Sequence, residues 1–262
     1  MKRKQQDILS FFKSTNGTAQ IIKKQKKNEP EVQYKPKWMQ SVKVVNDSIP
    51  LIFDKIHWHR VSYYKPSFEK SLSNPRFTTV YGCDEDLKSE TKRKYPIEPI
   101  PDFLLPVLKE VEKVTNQHYN MIMCNLYLEP GHSITWHSDD ENFLGPNPCI
   151  ASLTLGGTRD FFLREKADHQ NKIKWELAHG DLIVMKGATQ HDWEHAVPKR
   201  TQANEPRINL TFRKVIDYRG TNNYYKYTKF GDDDPSTSVR YLYNRKRRAV
   251  VIADEQQETK KE

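Results

Sequence analysis

Arg207-Ile208-Asn209-Leu210-Thr211-Phe212-Arg213 alternates polar and apolar side chains without a break. That is the period of a β-strand. One face carries Arg207, Asn209, Thr211 and Arg213, and the other carries Ile208, Leu210 and Phe212. The apolar face needs a core to pack on. The polar face carries two cations, which an inward-facing surface tolerates only where an anion neutralises them. An arginine grips a carboxylate as a planar fork, a geometry that lysine lacks, so a dicarboxylate suits the pair. On an ideal strand the Cα atoms of the two arginines lie about 20 Å apart. They meet one small ligand if their side chains converge, if the strand bends, or if each takes an opposite end. A solvated edge strand is the plainer alternative.

Outward from this segment, short β-rich runs are separated by Gly, Pro, Asn and Asp. They are Tyr119 to Leu128, Ala151 to Leu155, Asp160 to Leu163, Ile173 to Leu177 and Leu182 to Met185. Many short strands with such turns predict a mainly β fold, a sandwich or jelly roll open at one mouth. Upstream, Leu104, Val107, Leu108, Val111 and Val114 recur at helical spacing and predict a scaffold helix. Ile49-Pro50-Leu51-Ile52-Phe53 reads as a lead-in segment.

Trp136-His137-Ser138-Asp139 places a histidine and an aspartate two residues apart, so on a strand both side chains leave one face. His195, in His195-Ala196-Val197-Pro198, is the chosen third ligand, and His191 is its rival. Two imidazoles and one carboxylate on one face leave three octahedral positions open, the donor set that suits non-haem Fe(II). A His-x-Asp pair alone reads more readily as two surface residues on a strand.

The 262 residues carry 36% apolar and 29% charged side chains. That balance fits polar tails around one folded centre of about 180 to 200 residues. The net charge of +9 favours a polyanionic partner. Cys83, Cys124 and Cys149 show no metal-ligand spacing and suggest a reducing compartment. No apolar run approaches the roughly 20 residues of a membrane span. The N-terminus has no hydrophobic signal core, so nucleus or cytosol is expected.

The ordered set Asn125-x-Tyr127, His137-x-Asp139, His195 and Arg207-x5-Arg213 resembles the AlkB family of Fe(II)- and 2-oxoglutarate-dependent dioxygenases. These enzymes demethylate alkylated nucleic-acid bases. The likeness runs from about Pro75 to Lys214 and includes Ala151-Ser152-Leu153-Thr154-Leu155-Gly156, Arg159-Asp160-Phe161 and His179-Gly180-Asp181-Leu182. It is nearest the eukaryotic DNA-repair members. The resemblance implies a double-stranded β-helix with flanking helices. It implies that His137, Asp139 and His195 hold Fe(II), and that Asn125, Tyr127, Arg207, Asn209 and Arg213 hold 2-oxoglutarate. The family's histidine ligand precedes a hydrophobic-Pro segment, which favours His195 over His191. Asp140 and Glu141 would contact the flipped base, with Tyr81 and Tyr95 as stacking or lid residues. The implied reaction uses O2 and 2-oxoglutarate to remove the methyl group from 1-methyladenine or 3-methylcytosine in DNA, releasing succinate, CO2 and formaldehyde. The same chemistry on RNA or protein, and a catalytically inactive adaptor, are the alternatives. Where relatives carry an aromatic-rich insert after Tyr81-Gly82, this chain has the polar residues 83–94. The lid residues and the strand preference therefore stay open.

On this reading residues 1–45 form a disordered tail, 46–220 the dioxygenase domain with a lid at about 58–98, and 221–262 a basic, aromatic extension. In the tail, Gln5, Ile8, Phe11 and Phe12 resemble the motif by which replication and repair proteins bind the sliding clamp. Ile8, Phe11 and Phe12 fall on one face of a helical turn. Alkylated DNA and the sliding clamp are the expected partners, the nucleus the expected location, and a monomer the expected state.

Overall fold

The computed structural model describes residues 29–60, 62–65, 70–73, 75–82, 98–202, 205–217, 241–244 and 249–252. The strands are β1 (Glu31–Lys35), β2 (Ser62–Lys65), β3 (Lys70–Ser73), β4 (Phe77–Gly82), β5 (Met121–Tyr127), β6 (Ile134–His137), β7 (Ile150–Gly156), β8 (Arg159–Glu165), β9 (Lys172–Leu177), β10 (Leu182–Lys186), β11 (Trp193–Val197), β12 (Arg207–Arg213), β13 (Tyr241–Asn244) and β14 (Ala249–Ile252). The helices are α1 (Lys43–Lys55), α2 (Leu105–Thr115) and the single turn α3 (Thr189–Asp192).

A six-stranded sheet of order β1-β10-β7-β12-β5-β4 faces a four-stranded sheet of order β6-β11-β8-β9. All ladders are antiparallel, and the expected jelly roll is what the chain builds. Strand alternation divides the core in two. The outward residues Ile208, Leu210 and Phe212 of β12 join Ile122, Cys124 and Leu126 of β5 in packing under α1 and α2, with Ile52, Ile56, Val107 and Val111. The opposite face of the large sheet sends Met123, Tyr127, Ile150 and Met185 against Phe161, Leu163 and Trp193 of the small one. The inward polar residues of β12 are thus held over a gap between two apolar layers.

The predicted helix is present as α2, with Val107, Leu108 and Val111 buried. The lead-in segment is α1, a 13-residue helix that tolerates Pro50 in its interior. The boundary expected at residue 45 also needs correction. Glu31–Lys35 is an ordered edge strand paired with β10 from Glu31↔Lys186 to Lys35↔Leu182. Asp181 fastens it, since its carboxylate accepts from the Tyr34 hydroxyl at 2.9 Å, the Lys37 N–H at 2.7 Å and the Ala178 N–H at 2.8 Å. At the start of β12 the backbone is crowded. A Cβ on Gly157 would lie 2.2 Å from the Glu205 carbonyl oxygen. The Gly157 N–H donates to the Pro206 carbonyl at 2.8 Å, which holds the β7–β8 turn against the entrance to Arg207.

Candidate metal and dicarboxylate site

His137 ends β6 and lies opposite His195 of β11 in the ladder, with ring centroids 4.1 Å apart. Asp139 lies beyond the end of β6, so the same-face expectation from strand periodicity does not place it. A turn does, and two side chains fix it. Arg213 Nη2 donates to Asp139 Oδ2 at 2.7 Å, and the Asp139 N–H donates to Gln190 Oε1 at 2.9 Å. One ligand atom from each of His137, Asp139 and His195 lies within 4.8 Å of the others. His191, the rival ligand, is instead exposed beside Asp192.

The electrostatics keep Asp139 and His195 in ligand form. Burial by itself would push the Asp139 carboxyl up, but Arg213, His195 and His137 outweigh it and hold it below the usual carboxylate range. Burial, then His137, pushes His195 down to about 3, so its ring is neutral with a free lone pair. The Nδ1–H of His137 donates to the Thr135 carbonyl at 2.8 Å, which leaves Nε2 facing Asp139. A backbone acceptor that sets the tautomer is the usual partner of a metal-binding imidazole. A buried histidine, a buried carboxylate and the half-buried His137 converging in this way fit a divalent cation with an open coordination face.

Arg207 and Arg213 sit at opposite ends of β12, and both line one cavity with the triad, Asn125, Tyr127, Asn209 and Arg76. Arg213 serves Asp139. Arg207 is 1% exposed, its Nη2 donates to Thr154 Oγ1 at 3.0 Å, and its Cζ stands 5.1 Å over the Tyr127 ring. Its Nε and Nη1 have no acceptor among the described residues. Burial lowers its pKa to about 10, against the pull of Tyr127, so the group is still a cation at neutral pH. A buried guanidinium with two unused donors at the end of a polar cavity fits a carboxylate. The Asn125 Oδ1 accepts from Arg76 Nε at 2.9 Å and Thr78 Oγ1 at 3.2 Å. Asn209 is spent on its neighbours: its Nδ2 donates to Ser152 Oγ at 2.7 Å and to the Leu153 carbonyl.

Asp140 and Glu141 follow the ligand pair. Asp140 is exposed, with Lys166 Nζ 3.4 Å from its Oδ2. Glu141 is half-buried, and burial followed by the charge of Asp139 pushes its carboxyl up. Tyr81 is a correction. It lies opposite Ile122 in the β4–β5 ladder and packs, 4% exposed, in the core beneath the helices, on the sheet face away from the triad. Strand parity decides this, because Thr78 and Val80 take the inward positions of β4. Tyr95, the clamp-like residues Gln5, Ile8, Phe11 and Phe12, and the polar stretch 83–94 lie outside the described residues. Sequence reading missed Arg76, Thr154 and Gln190 as parts of the site. Isolated polar residues carry no spacing signal that would single them out.

Residues 31–213 match the model of the 2OG-Fe(II) oxygenase superfamily. The chain belongs to that superfamily. Its members use Fe(II), 2-oxoglutarate and O2, and the donor set above suits the first two. Over 162 residues, 57% of the chain, it is 43% identical to the human alpha-ketoglutarate-dependent dioxygenase alkB homolog 3, of which it spans 55%. It is 37% identical to the Arabidopsis thaliana DNA oxidative demethylase ALKBH2 over 63% of the chain and 61% of that protein. The chain thus spans little more than half the length of these curated relatives. Among solved structures, OsALKBH1 covers 72% of the chain at 16% identity with a TM-score of 0.49. The AlkB resemblance read from the motifs agrees with these relatives.

Proposed function

We propose that this protein is an oxidative demethylase of N-alkylated bases in DNA, such as 1-methyladenine and 3-methylcytosine. The observation that carries the reading is the pairing, in one cavity, of a His137–Asp139–His195 cluster with the two unused donors of Arg207. His137, Asp139 and His195 would hold Fe(II), which, with 2-oxoglutarate and O2, supplies the oxidising power for a methyl C–H bond. Arg207 would fix one carboxylate of 2-oxoglutarate through Nε and Nη1, with Tyr127 and Thr154 holding the guanidinium in place. Arg213 orients Asp139 and keeps it ionised. Asn125 and Asn209 shape the cavity wall between the two ends. Asp140 and Glu141, directly after the ligand pair, are proposed to meet the extruded base. The hydroxymethyl product would release formaldehyde.

A net charge of +9 supports a nucleic-acid substrate over a neutral small molecule. The relatives named as DNA demethylases, and the clamp-like Gln5, Ile8, Phe11 and Phe12, support DNA over RNA or protein. The clamp-like residues also support action at the sliding clamp in the nucleus, and a monomer is proposed. Formaldehyde release from matched DNA and RNA oligonucleotides bearing 1-methyladenine tests the substrate. Preference for the DNA strand is expected, and equal or greater release from RNA would move the assignment to RNA.

A further inference from the structure

The metal ligand Asp139 stands where the β6 ladder has already ended, so no neighbouring strand takes its backbone N–H. A buried N–H without an acceptor is costly, and the chain supplies one from a distant element. That acceptor is Gln190, 1% exposed, in the turn that leads directly into β11 and His195.

Building on the iron reading, we propose that Gln190 is the positioning residue that holds the two arms of the His137–Asp139–His195 cluster in register. Both ends of its amide are committed: Oε1 accepts from the Asp139 N–H at 2.9 Å, and Nε2 donates to Met185 Sδ at 3.4 Å. The N–H donor at Asp139 fixes which end of the amide is the oxygen. Its own carbonyl accepts from Lys166 Nζ at 3.1 Å, and the same ammonium lies 3.4 Å from Asp140 Oδ2. The Ser138 hydroxyl donates to the Trp193 carbonyl at 2.8 Å, a second tie between the same two segments. Arg213 aims the Asp139 carboxylate, and Gln190 aims the backbone that carries it. The arm bearing His137 and Asp139 cannot shift against the arm bearing His195 without breaking a buried hydrogen bond. Pre-set ligand geometry of this kind governs metal affinity, and losing a comparable partner costs 10–100-fold.

The test is titration of the full chain with Co(II) alone, read by calorimetry and visible absorption. Gln190→Leu keeps the bulk and removes the acceptor, so its Co(II) dissociation constant should rise about 10–100-fold with an altered absorption band. Gln190→Glu restores an oxygen at the same reach and should bind close to wild type. If the leucine variant fails to fold, Gln190→Asn, whose amide stops one methylene short, takes its place with the same expected loss. A residue that only stabilises the fold would lower the unfolding midpoint of the metal-free protein and leave the folded protein's Co(II) affinity unchanged. Wild-type affinity in the leucine or asparagine variant therefore overturns the proposal. Wild-type protein that binds no Co(II), or binds it equally after His137→Ala, overturns the iron reading itself.

Discussion

At the scale of single residues, Arg207 is the most exposed to test. Its guanidinium lies 1% exposed with two donors unused among the described residues, and a ligand that completes them gains charge-assisted hydrogen bonds. Lysine keeps the charge and loses the fork. Arg207→Lys should raise the KM for 2-oxoglutarate by about 10–100-fold, the loss of one charged hydrogen bond of roughly 1.5–3 kcal/mol. Co(II) affinity should stay unchanged, because Arg207 does not touch the triad. Steady-state kinetics and metal titration of one preparation separate the two, and an unchanged KM would remove Arg207 from the 2-oxoglutarate site. His137, Asp139, His195 and the arginine pair were legible in the sequence because their types suit the chemistry and their order resembles the AlkB family's. Gln190 was not, because its role depends on where β6 stops. Tyr81 was misplaced, because a stacking role was assigned from residue type while strand parity turns the ring toward the helices.

At the scale of elements, β12 alternates cleanly and was read to the residue. β1 was read as tail because the alternation in Glu31-Val32-Gln33-Tyr34-Lys35 is only five residues long and follows the lysine-rich run at 23–27. It is held by the ladder to β10 and by Asp181, neither of which is a local signal. The Tyr34 phenol is raised to about 12, first by burial and then by its hydrogen bond to Asp181. A phenol whose folded pKa exceeds its unfolded value near 10 stabilises the fold fully below about pH 10, and loses that contribution as pH rises through about 12. Urea midpoints of wild type and Tyr34→Phe should therefore differ in favour of wild type at pH 9 and converge by pH 12. A difference independent of pH would show that the phenol proton has no part in holding β1. The glycine turn before Arg207 is the other vulnerable joint. Gly157→Ala drives a Cβ toward the Glu205 carbonyl oxygen and should destabilise by roughly 1–3 kcal/mol in urea unfolding. No loss there would mean the turn relaxes freely.

At the scale of the whole molecule, two sheets enclose a polar cavity between apolar layers, and α1 and α2 cover the outer face of the large sheet. That architecture followed from the run of short strands, but the pairing order of the sheets did not. Contacts such as β1 with β10 join segments about 150 residues apart, which no local pattern reports. Among the described residues, no helix is long and apolar enough to cross a membrane. We propose that the cavity uses iron and 2-oxoglutarate to oxidise a methylated base. The most direct measurement is succinate and formaldehyde release by purified protein with Fe(II), 2-oxoglutarate and an oligodeoxynucleotide bearing 1-methyladenine. Equimolar release that needs the iron and the methyl group, and disappears in His137→Ala, is the expected result. Release of neither product by iron-loaded protein would contradict it.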